Sequence, residues 1–506
     1  MTLSSRAFTL TLAGEADTIR LGQDLALALK PGDCLALSGD LGAGKSTLAR
    51  ALIRAIAHDE ALEVPSPTFT LVQSYALRLP VAHFDLYRIG DPSELAELGL
   101  DDALDGGIAL VEWPEMAGGD LPANTIHLKL ETDGNGRKAT ITALEPQASR
   151  IERNRLIRTF LDRNGHAGAE RSHLTGDASS RAYEYILEAD KPRIILMDAP
   201  RQPDGPPIRD GKPYSQIAHL AEDVYPFVAL AKTLRDKGLA APTIYGGDYE
   251  AGILLIEDLG TEGVLDANSK PIPERYRASV ACLAHLHSIA FPREIQVTET
   301  HRHAIPDYDA TVMKMEAELT LDWHLPWKRN GKAATDAERA DYLAIWDQLI
   351  TELADAETNL VLRDFHSPNI IWRPEDEGVR RVGLIDFQDA MIGPTAYDLV
   401  SIVQDARVTV ERDLVDVLMA DYMALRHAQG PAFDEQNFRK AWAIMSAQRA
   451  CKLNGLWVRL LQRDGKPGYM KHMDRTLWHL QVAFEHEALA PLREWCARAG
   501  IGSLNA

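Results

Sequence analysis

Two phosphate-handling signatures, more than three hundred residues apart, constrain this chain more than any other feature. Gly39-Asp40-Leu41-Gly42-Ala43-Gly44-Lys45-Ser46 is a complete Walker A loop. Leu362-Arg363-Asp364-Phe365-His366-Ser367-Pro368-Asn369, followed by Ile385-Asp386-Phe387, has the residues and order of a kinase catalytic loop and its metal-binding Asp. Kinase-like folds do not grip nucleotide with a Walker loop, so one core cannot serve both motifs. The 506 residues are enough for two or three cores, and the chain reads as two unrelated nucleotide sites on separate domains.

Charge narrows the function class. Asp plus Glu number 74 against 54 Lys plus Arg, a net charge of -20. A surface that negative repels a phosphate backbone, which argues against strong direct nucleic-acid binding. Cys34, Cys282, Cys451 and Cys496 form no CxxC pair and read as free thiols of a reducing compartment. The N-terminal residues lack a signal-peptide pattern, and no apolar run approaches the ~20 residues of a membrane span. A cytoplasmic protein without membrane contact is expected.

Residues 1–147 alternate short apolar strands with helical stretches, which predicts an α/β P-loop NTPase domain with a mainly parallel sheet. Strands are expected at Cys34-Leu35-Ala36-Leu37-Ser38 and Ile108-Ala109-Leu110-Val111-Glu112-Trp113, and a helix from Ser46 to Ala57 with Leu48, Leu52, Ile53 and Ile56 on one side. Asp133-Gly134-Asn135-Gly136 is a hairpin turn between two further strands. The joint falls near Glu145 to Arg150, before a helix expected from Ile151 to Asn164. A β-rich lobe over 150–260 and a helical lobe over 261–506 follow, the order of an α+β two-lobed protein-kinase-like domain. Ser215 to Lys237 reads as one long helix.

In the first site, Gly39, Gly42, Ala43, Gly44, Lys45, Ser46 and Thr47 are the nucleotide-binding candidates. Glycines let consecutive N–H groups curl around phosphate oxygens, Lys45 reaches the outer phosphates, and the Ser46 hydroxyl ligates Mg2+. A carboxylate must serve the metal or its water shell. Asp85 and Glu112 are the two candidates, and either is otherwise an ordinary strand-end acid. Ser66-Pro67-Thr68-Phe69 has the make-up of a phosphate-sensing switch, or simply of a turn.

Gly39 to Ser46, Ser66 to Phe69, His83-Phe84-Asp85-Leu86-Tyr87-Arg88 and Glu112-Trp113 closely resemble the TsaE family, the ATPase subunit of bacterial tRNA threonylcarbamoyladenosine synthesis. The resemblance covers nearly all of residues 1–145 and implies an ATPase that works with the threonylcarbamoyl-transferase subunits.

Kinase-type phosphoryl transfer needs an Asp to orient the acceptor and take its proton, and an Asn and a second Asp to hold Mg2+. Asp364 and Asn369 are five apart, and Asp386 follows 22 residues after Asp364. Asp364 is the catalytic candidate, with Asn369 and Asp386 the metal candidates. An isolated D-x4-N means nothing; the full ordered set behind a β-rich lobe does. Gly176, Ala178, Ser179, Ser180 and Arg181 stand where a phosphate-covering loop belongs, and Glu257 and Leu259 where a hinge meets adenine. The next strand carries Met197 where a kinase usually has a phosphate-pairing Lys. His366 either touches a phosphate or braces the loop, and Asp398 buttresses it.

These segments resemble the aminoglycoside phosphotransferase superfamily. Leu174 to Arg181, Ile195 to Pro200, Leu362 to Asn369 and Gln448 to Lys466 are closer to its cell-wall amino-sugar kinases, the AmgK family, over about residues 150–490. That resemblance implies ATP- and Mg2+-dependent phosphorylation of the anomeric hydroxyl of N-acetylmuramate and N-acetylglucosamine, and it makes Met197 unremarkable. Arg449, Lys452, Arg459, Arg463 and Lys466 fall on roughly one helical face. The face is either solvated or lines the cleft, where it favours an anionic sugar over a polycation. Asp322, Arg449 and Arg463 are the substrate candidates, and Trp323 and Trp457 are either sugar platforms or core. The rival readings are a kinase for another small acceptor, such as an aminoglycoside or choline, and a non-catalytic scaffold.

Overall fold

The computed structural model describes residues 5–91, 94–174, 181–430 and 433–501. The chain divides into two compact units, Met1–Asp198 and Ala199–Ala506.

The first unit is built on seven strands: β1 (Arg6–Leu12), β2 (Cys34–Ser38), β3 (Val72–Tyr75), β4 (Val81–Asp85), β5 (Ile108–Glu112), β6 (Ile126–Asp133) and β7 (Gly136–Ala143). Their order in the sheet is β1-β7-β6-β2-β5-β4-β3. β2 lies parallel between β5 and β6, and β4 is parallel to β5. The other pairings, β1–β7, β6–β7 and β3–β4, are antiparallel. The expected mainly parallel sheet is therefore parallel only at its centre. The two-residue connection Gly134-Asn135 makes β6–β7 a hairpin, and tight hairpins are antiparallel. The centre follows from the apolar runs: every residue of β4 and β5 is buried, as both faces of a parallel strand require.

Helices α1 (Glu15–Ala28) and α2 (Lys45–Ala57) pack on this sheet, and α2 buries Leu48, Leu52, Ile53 and Ile56 as its periodicity predicted. The short α3 (Glu94–Glu97) and α4 (Leu100–Leu104) precede β5. Gly39, which opens the phosphate loop, has φ +137°, and a Cβ there would lie 2.3 Å from the Leu130 carbonyl oxygen. No other residue fits that position.

The unit does not end at the expected joint. Helix α5 (Gln147–Arg163) begins four residues before Ile151, and an antiparallel meander follows: β8 (Glu170–Leu174), β9 (Ala182–Leu187) and β10 (Ile194–Asp198). Buried ion pairs explain why these elements stay with the P-loop core. Arg150 makes two bonds to Asp33 at 2.8 and 2.9 Å. Asp24 of α1 accepts from Arg158 of α5 at 2.6 and 2.9 Å and from Arg171 of β8 at 3.1 Å. Such groups are costly to leave unpaired, so α5 and β8 are fixed to α1.

The second unit opens with the short ribbon Pro207–Arg209 and Lys212–Pro213, carries the hairpin Ile244–Asp248 and Ile253–Glu257, and is otherwise mostly helical. Its long helices are Pro273–Ser288, Asp336–Thr351, Arg412–Gln429 and Glu435–Gln462. The single helix expected from Ser215 to Lys237 is two, Tyr214–Ile217 and Tyr225–Asp236. Pro226 sits in the first turn of the second helix, where the missing N–H and the ring clash are tolerated; a continuous helix would place it in the interior. All four cysteines are buried and unbonded. Among the described residues no helix is long and apolar enough to cross a membrane.

Candidate active sites

The P-loop site is a cleft of about 370 Å³ at the C-terminal ends of β2, β4 and β5, with Gly42, Gly44, Lys45, Ser46 and Thr47 in its lining. Parallel pairing sets Asp85 of β4 directly beside Glu112 of β5. The two candidate acids have different partners. Ser46 Oγ donates to Glu112 Oε2 at 2.9 Å, and Glu112 Oε1 is 2.9 Å from His83 Nε2. Asp85 Oδ2 accepts from Ser66 Oγ at 3.0 Å and Thr68 Oγ1 at 2.7 Å, while Oδ1 takes the Tyr87 N–H at 3.1 Å. Glu112 thus reaches the Ser46 hydroxyl, the candidate metal ligand, and Asp85 holds the Ser66–Thr68 segment.

Lys45 Nζ donates to the Gly39 and Asp40 carbonyls at 2.6 and 3.0 Å and lies 3.8 Å above the Trp113 ring. Burial lowers its pKa, against the pull of Glu112, Glu115, Asp85 and Asp40. Trp113 has φ +60°, strained for a bulky residue, and that turn carries its ring under the lysine. His83 was visible in the sequence only as part of a motif. Its place two residues before Asp85 in β4 puts both side chains on one face of the strand, and there it meets Glu112.

In the second unit the strands Ile370–Trp372 and Val382–Leu384 pair antiparallel with Ile370 opposite Leu384. Asn369 and Asp386 flank the same end of this ribbon, and Asn369 Nδ2 is 3.2 Å from Asp386 Oδ2. Asn369 Nδ2 also donates to the Asp364 carbonyl at 2.9 Å, which ties the three predicted residues together. A carboxylate and an amide side chain offer hard oxygen donors of the kind Mg2+ takes, so the residues fit that ion. Arg363 and Asp386 have φ +72° and +59°, left-handed positions that cost energy and occur at functional turns.

The loop is heavily braced. Asp398 accepts the Leu362 and Arg363 N–H groups at 2.6 and 2.9 Å, the buttress expected of it. His366 Nδ1 is 2.8 Å from the Asp364 carbonyl, so it braces the loop, and its Nε2 meets Arg407. Asp405, unremarked in the sequence, accepts from the Ser367 N–H and hydroxyl at 2.9 and 2.5 Å. Gln388 donates to Asp386 Oδ1 at 2.8 Å. Burial acts to raise the Asp364 pKa, but Lys452, His366, Arg363 and Arg449 together outweigh it and hold the carboxyl below its ordinary value. A base needs that ionised state.

The remaining candidates divide. Gly176, Ala178, Ser179 and Ser180 lie outside the described residues. Arg181 stands just before β9, and Met197 is buried within β10. Leu259 is buried, and the Glu257 carboxylate is taken by Thr243 Oγ1 at 2.6 Å and its N–H at 3.0 Å, with Arg235 at 3.3 Å.

The single basic face is not formed. Helix Glu435–Gln462 runs through the core, so its cations meet different neighbours. Arg449 is buried and donates to Ser401 at 3.0 Å, and Lys452 pairs with buried Glu316 at 2.7 Å. Arg459 lies 5.0 Å from the Tyr214 ring, and Arg463 bonds its neighbour Asp464 at 2.7 Å. Asp322 pairs with Arg339. Trp457 belongs to a hydrophobic cluster, with Trp323 packed against it. The sequence missed Glu316 because nothing local distinguishes it: its partners Arg363 and Lys452 are 47 and 136 residues away.

Comparison with known proteins finds two families on the chain. Residues 12–140 match the family described as Threonylcarbamoyl adenosine biosynthesis protein TsaE, and residues 171–438 match the Phosphotransferase enzyme family. The chain is 32% identical over 358 residues to the N-acetylmuramate/N-acetylglucosamine kinase of Caulobacter vibrioides, covering 69% of this chain and 96% of that protein. It is 28% identical to the protein of that name from Pseudomonas putida, covering 65% of this chain and 88% of the relative. Over 133 residues it is 41% identical to the tRNA threonylcarbamoyladenosine biosynthesis protein TsaE of Rickettsia conorii, covering 26% of this chain and 75% of that protein.

Proposed function

The chain belongs to the phosphotransferase enzyme family and, over its N-terminal region, to the TsaE family, and from that premise we propose a bifunctional protein of the cytoplasm. Its later domain transfers the γ-phosphoryl group of ATP to the anomeric hydroxyl of N-acetylmuramate or N-acetylglucosamine. Its first domain is an ATPase that serves the threonylcarbamoyl-transferase subunits of tRNA modification. We divide the chain functionally into a P-loop domain at 1–147, a kinase N-lobe at 150–260 and a helical C-lobe at 261–506, although the compact units part at Asp198.

The observation that carries the kinase reading is that Asn369 bonds both the Asp364 backbone carbonyl and the Asp386 carboxylate, which gathers the three residues at one place. Asp364 accepts the proton of the acceptor hydroxyl as its oxygen bonds the γ-phosphorus and the bond to ADP breaks. Asn369 and Asp386 hold Mg2+, which neutralises phosphate charge. Asp398, Asp405 and His366 keep the loop in place so that no reorganisation is needed on the way to the transition state. An anomeric hydroxyl is more acidic than an ordinary alcohol, which suits a carboxylate whose pKa is depressed.

The test is an acceptor panel with ATP and assignment of the hydroxyl that gains phosphate. The expected product is a sugar 1-phosphate from both acetylated sugars. Phosphate on an aminoglycoside and not on these sugars would overturn the reading.

In the first domain Lys45 and Ser46 would hold the triphosphate and its Mg2+, and Glu112, oriented by His83, would supply the carboxylate beside them. Glu112→Gln keeps the shape and removes the charge. It is expected to slow ATP hydrolysis by that domain by about 10²-fold or more, measured as ADP release with the transferase subunits present and no sugar. His83→Ala is expected to cost less, about 10-fold, because it loosens Glu112 without removing it.

A further inference from the structure

Beside the catalytic loop lies a second pocket of about 560 Å³, lined by Arg407, Lys466, Gly468, Tyr469, Lys471, His472 and Arg475. Four of these seven residues are cations and none is an acid, in a chain whose net charge is -20. Arg475 is held in place. Arg475 Nη1 donates to the Ala406 carbonyl at 2.8 Å, and its Nε and Nη2 reach Thr409 Oγ1 at 3.2 and 3.1 Å. The nearby acid Asp405 is occupied by Ser367 and the Arg407 N–H. His472 is 7% exposed, and its Nδ1 has no hydrogen-bond partner. A buried polar atom of that kind is costly unless something meets it.

Position ties this pocket to the chemistry. His366 turns Nδ1 toward the Asp364 carbonyl and Asn369, at 2.8 and 3.3 Å, and turns Nε2, across its ring, to Arg407. The pocket therefore begins one imidazole away from the loop that carries the base, on the side away from the metal-binding Asn369. Its wall also holds an aromatic ring: Tyr469 stacks on Trp457 with centroids 5.8 Å apart. Cations around an aromatic ring suit a ligand with a carboxylate on a pyranose, and repel a polycationic aminoglycoside.

We propose that this pocket binds the carboxylate of an acidic acceptor sugar, with Arg407, Lys466, Lys471 and Arg475 as its partners and Tyr469 against the ring. The proposal rests on the sugar-kinase reading above. It replaces Asp322, Arg449 and Arg463 as the residues that set substrate preference, and it makes the lactyl group of N-acetylmuramate the feature recognised. N-acetylglucosamine has no carboxylate and cannot use the pocket's charge.

The experiment compares kcat/KM for the two sugars in the full-length wild-type protein, in Lys466→Met/Lys471→Met and in Lys471→Glu. Both lysines are exposed, so the variants are expected to fold, which thermal melting checks. The expected result is a fall of about 10-fold in the ratio of N-acetylmuramate to N-acetylglucosamine kcat/KM in the double variant, and a larger fall in Lys471→Glu. The change should sit in KM for the acidic sugar, and added salt should erode the wild-type ratio. A ratio unmoved in both variants, with both sugars still phosphorylated, overturns the proposal alone. A wild-type protein that phosphorylates neither sugar overturns the sugar-kinase reading and the proposal with it.

Discussion

Asp364→Asn is expected to lower kcat for sugar phosphorylation by about 10²- to 10⁴-fold while leaving the ATP hydrolysis of the P-loop domain intact. The substitution preserves size and removes the charge that would accept the proton. The Asp364 backbone carbonyl, which His366 and Asn369 engage, is untouched, so the loop should keep its form. Lys45→Ala makes the reciprocal cut, abolishing nucleotide hydrolysis in the first domain and sparing the sugar product. The measurement is one preparation assayed twice, for sugar phosphate and for sugar-independent ADP release. Asp364→Asn with full sugar turnover would remove the base from the mechanism. Loss of both activities in either single variant would show that the two sites are not independent. The direction of the Asp364 pKa adds a pH signature. Cationic neighbours outweigh burial and hold the carboxyl below its ordinary value of 3.8, so the base is ionised throughout the neutral range. The acid limb of kcat/KM should lie below that value and should move up when Lys452 is neutralised.

What could be read from the sequence was what local chain geometry dictates. The Walker loop, the strand before it and the helix after it are contiguous, so β2, Gly39 and α2 follow from the residues in order. The same holds for Asp364 and Asn369, five residues apart within one braced loop. Legibility ended where the answer depends on which distant elements meet. Asp85 and Glu112 are indistinguishable in the sequence, and only the fold shows that Glu112 meets the Ser46 hydroxyl while Asp85 meets Ser66 and Thr68. The cations after Gln448 suggested one face because periodicity is blind to neighbours on both sides of a central helix. Lys452 is turned to Glu316 and Arg449 to Ser401, while the cations that line a pocket come partly from Arg407 and from Lys471 and Arg475 beyond that helix. The joint expected near Pro146 falls between the two family matches, while the Asp24 and Asp33 ion pairs, which no local pattern shows, bind the following helix to the first compact unit.

Glu316→Ala is expected to destabilise the second unit by about 3–5 kcal/mol, the usual cost of breaking a buried ion pair by removing one partner. Glu316 is fully buried and accepts from the Tyr308 hydroxyl at 2.6 Å, Lys452 Nζ at 2.7 Å, Gln448 Nε2 at 3.0 Å and the Arg363 guanidinium. Its removal strands two cations in the core beneath the catalytic loop. For a unit of this size the loss corresponds to a fall of about 6–15 °C in melting temperature. Glu316→Gln keeps the volume and part of the hydrogen bonding, so it should fall between the two. Burial acts to raise the Glu316 pKa, but the charges of Lys452 and Arg363 and the hydrogen bonds from Lys452 and Tyr308 outweigh it and depress it far below the ordinary 4.5. A depressed folded-state value means that the wild-type gains stability from this group fully above the unfolded value and loses it as pH falls toward the folded one. Acid melting of the wild-type should therefore steepen below about pH 4.5, and Glu316→Ala should flatten that slope. Because Arg363 directly precedes Asp364 and takes its left-handed turn under this constraint, the variant should also lose kcat at temperatures where it remains folded. A variant that melts and turns over like wild-type would mean that Lys452 and Arg363 find other partners, and that Asp398, Asp405 and His366 hold the loop without Glu316.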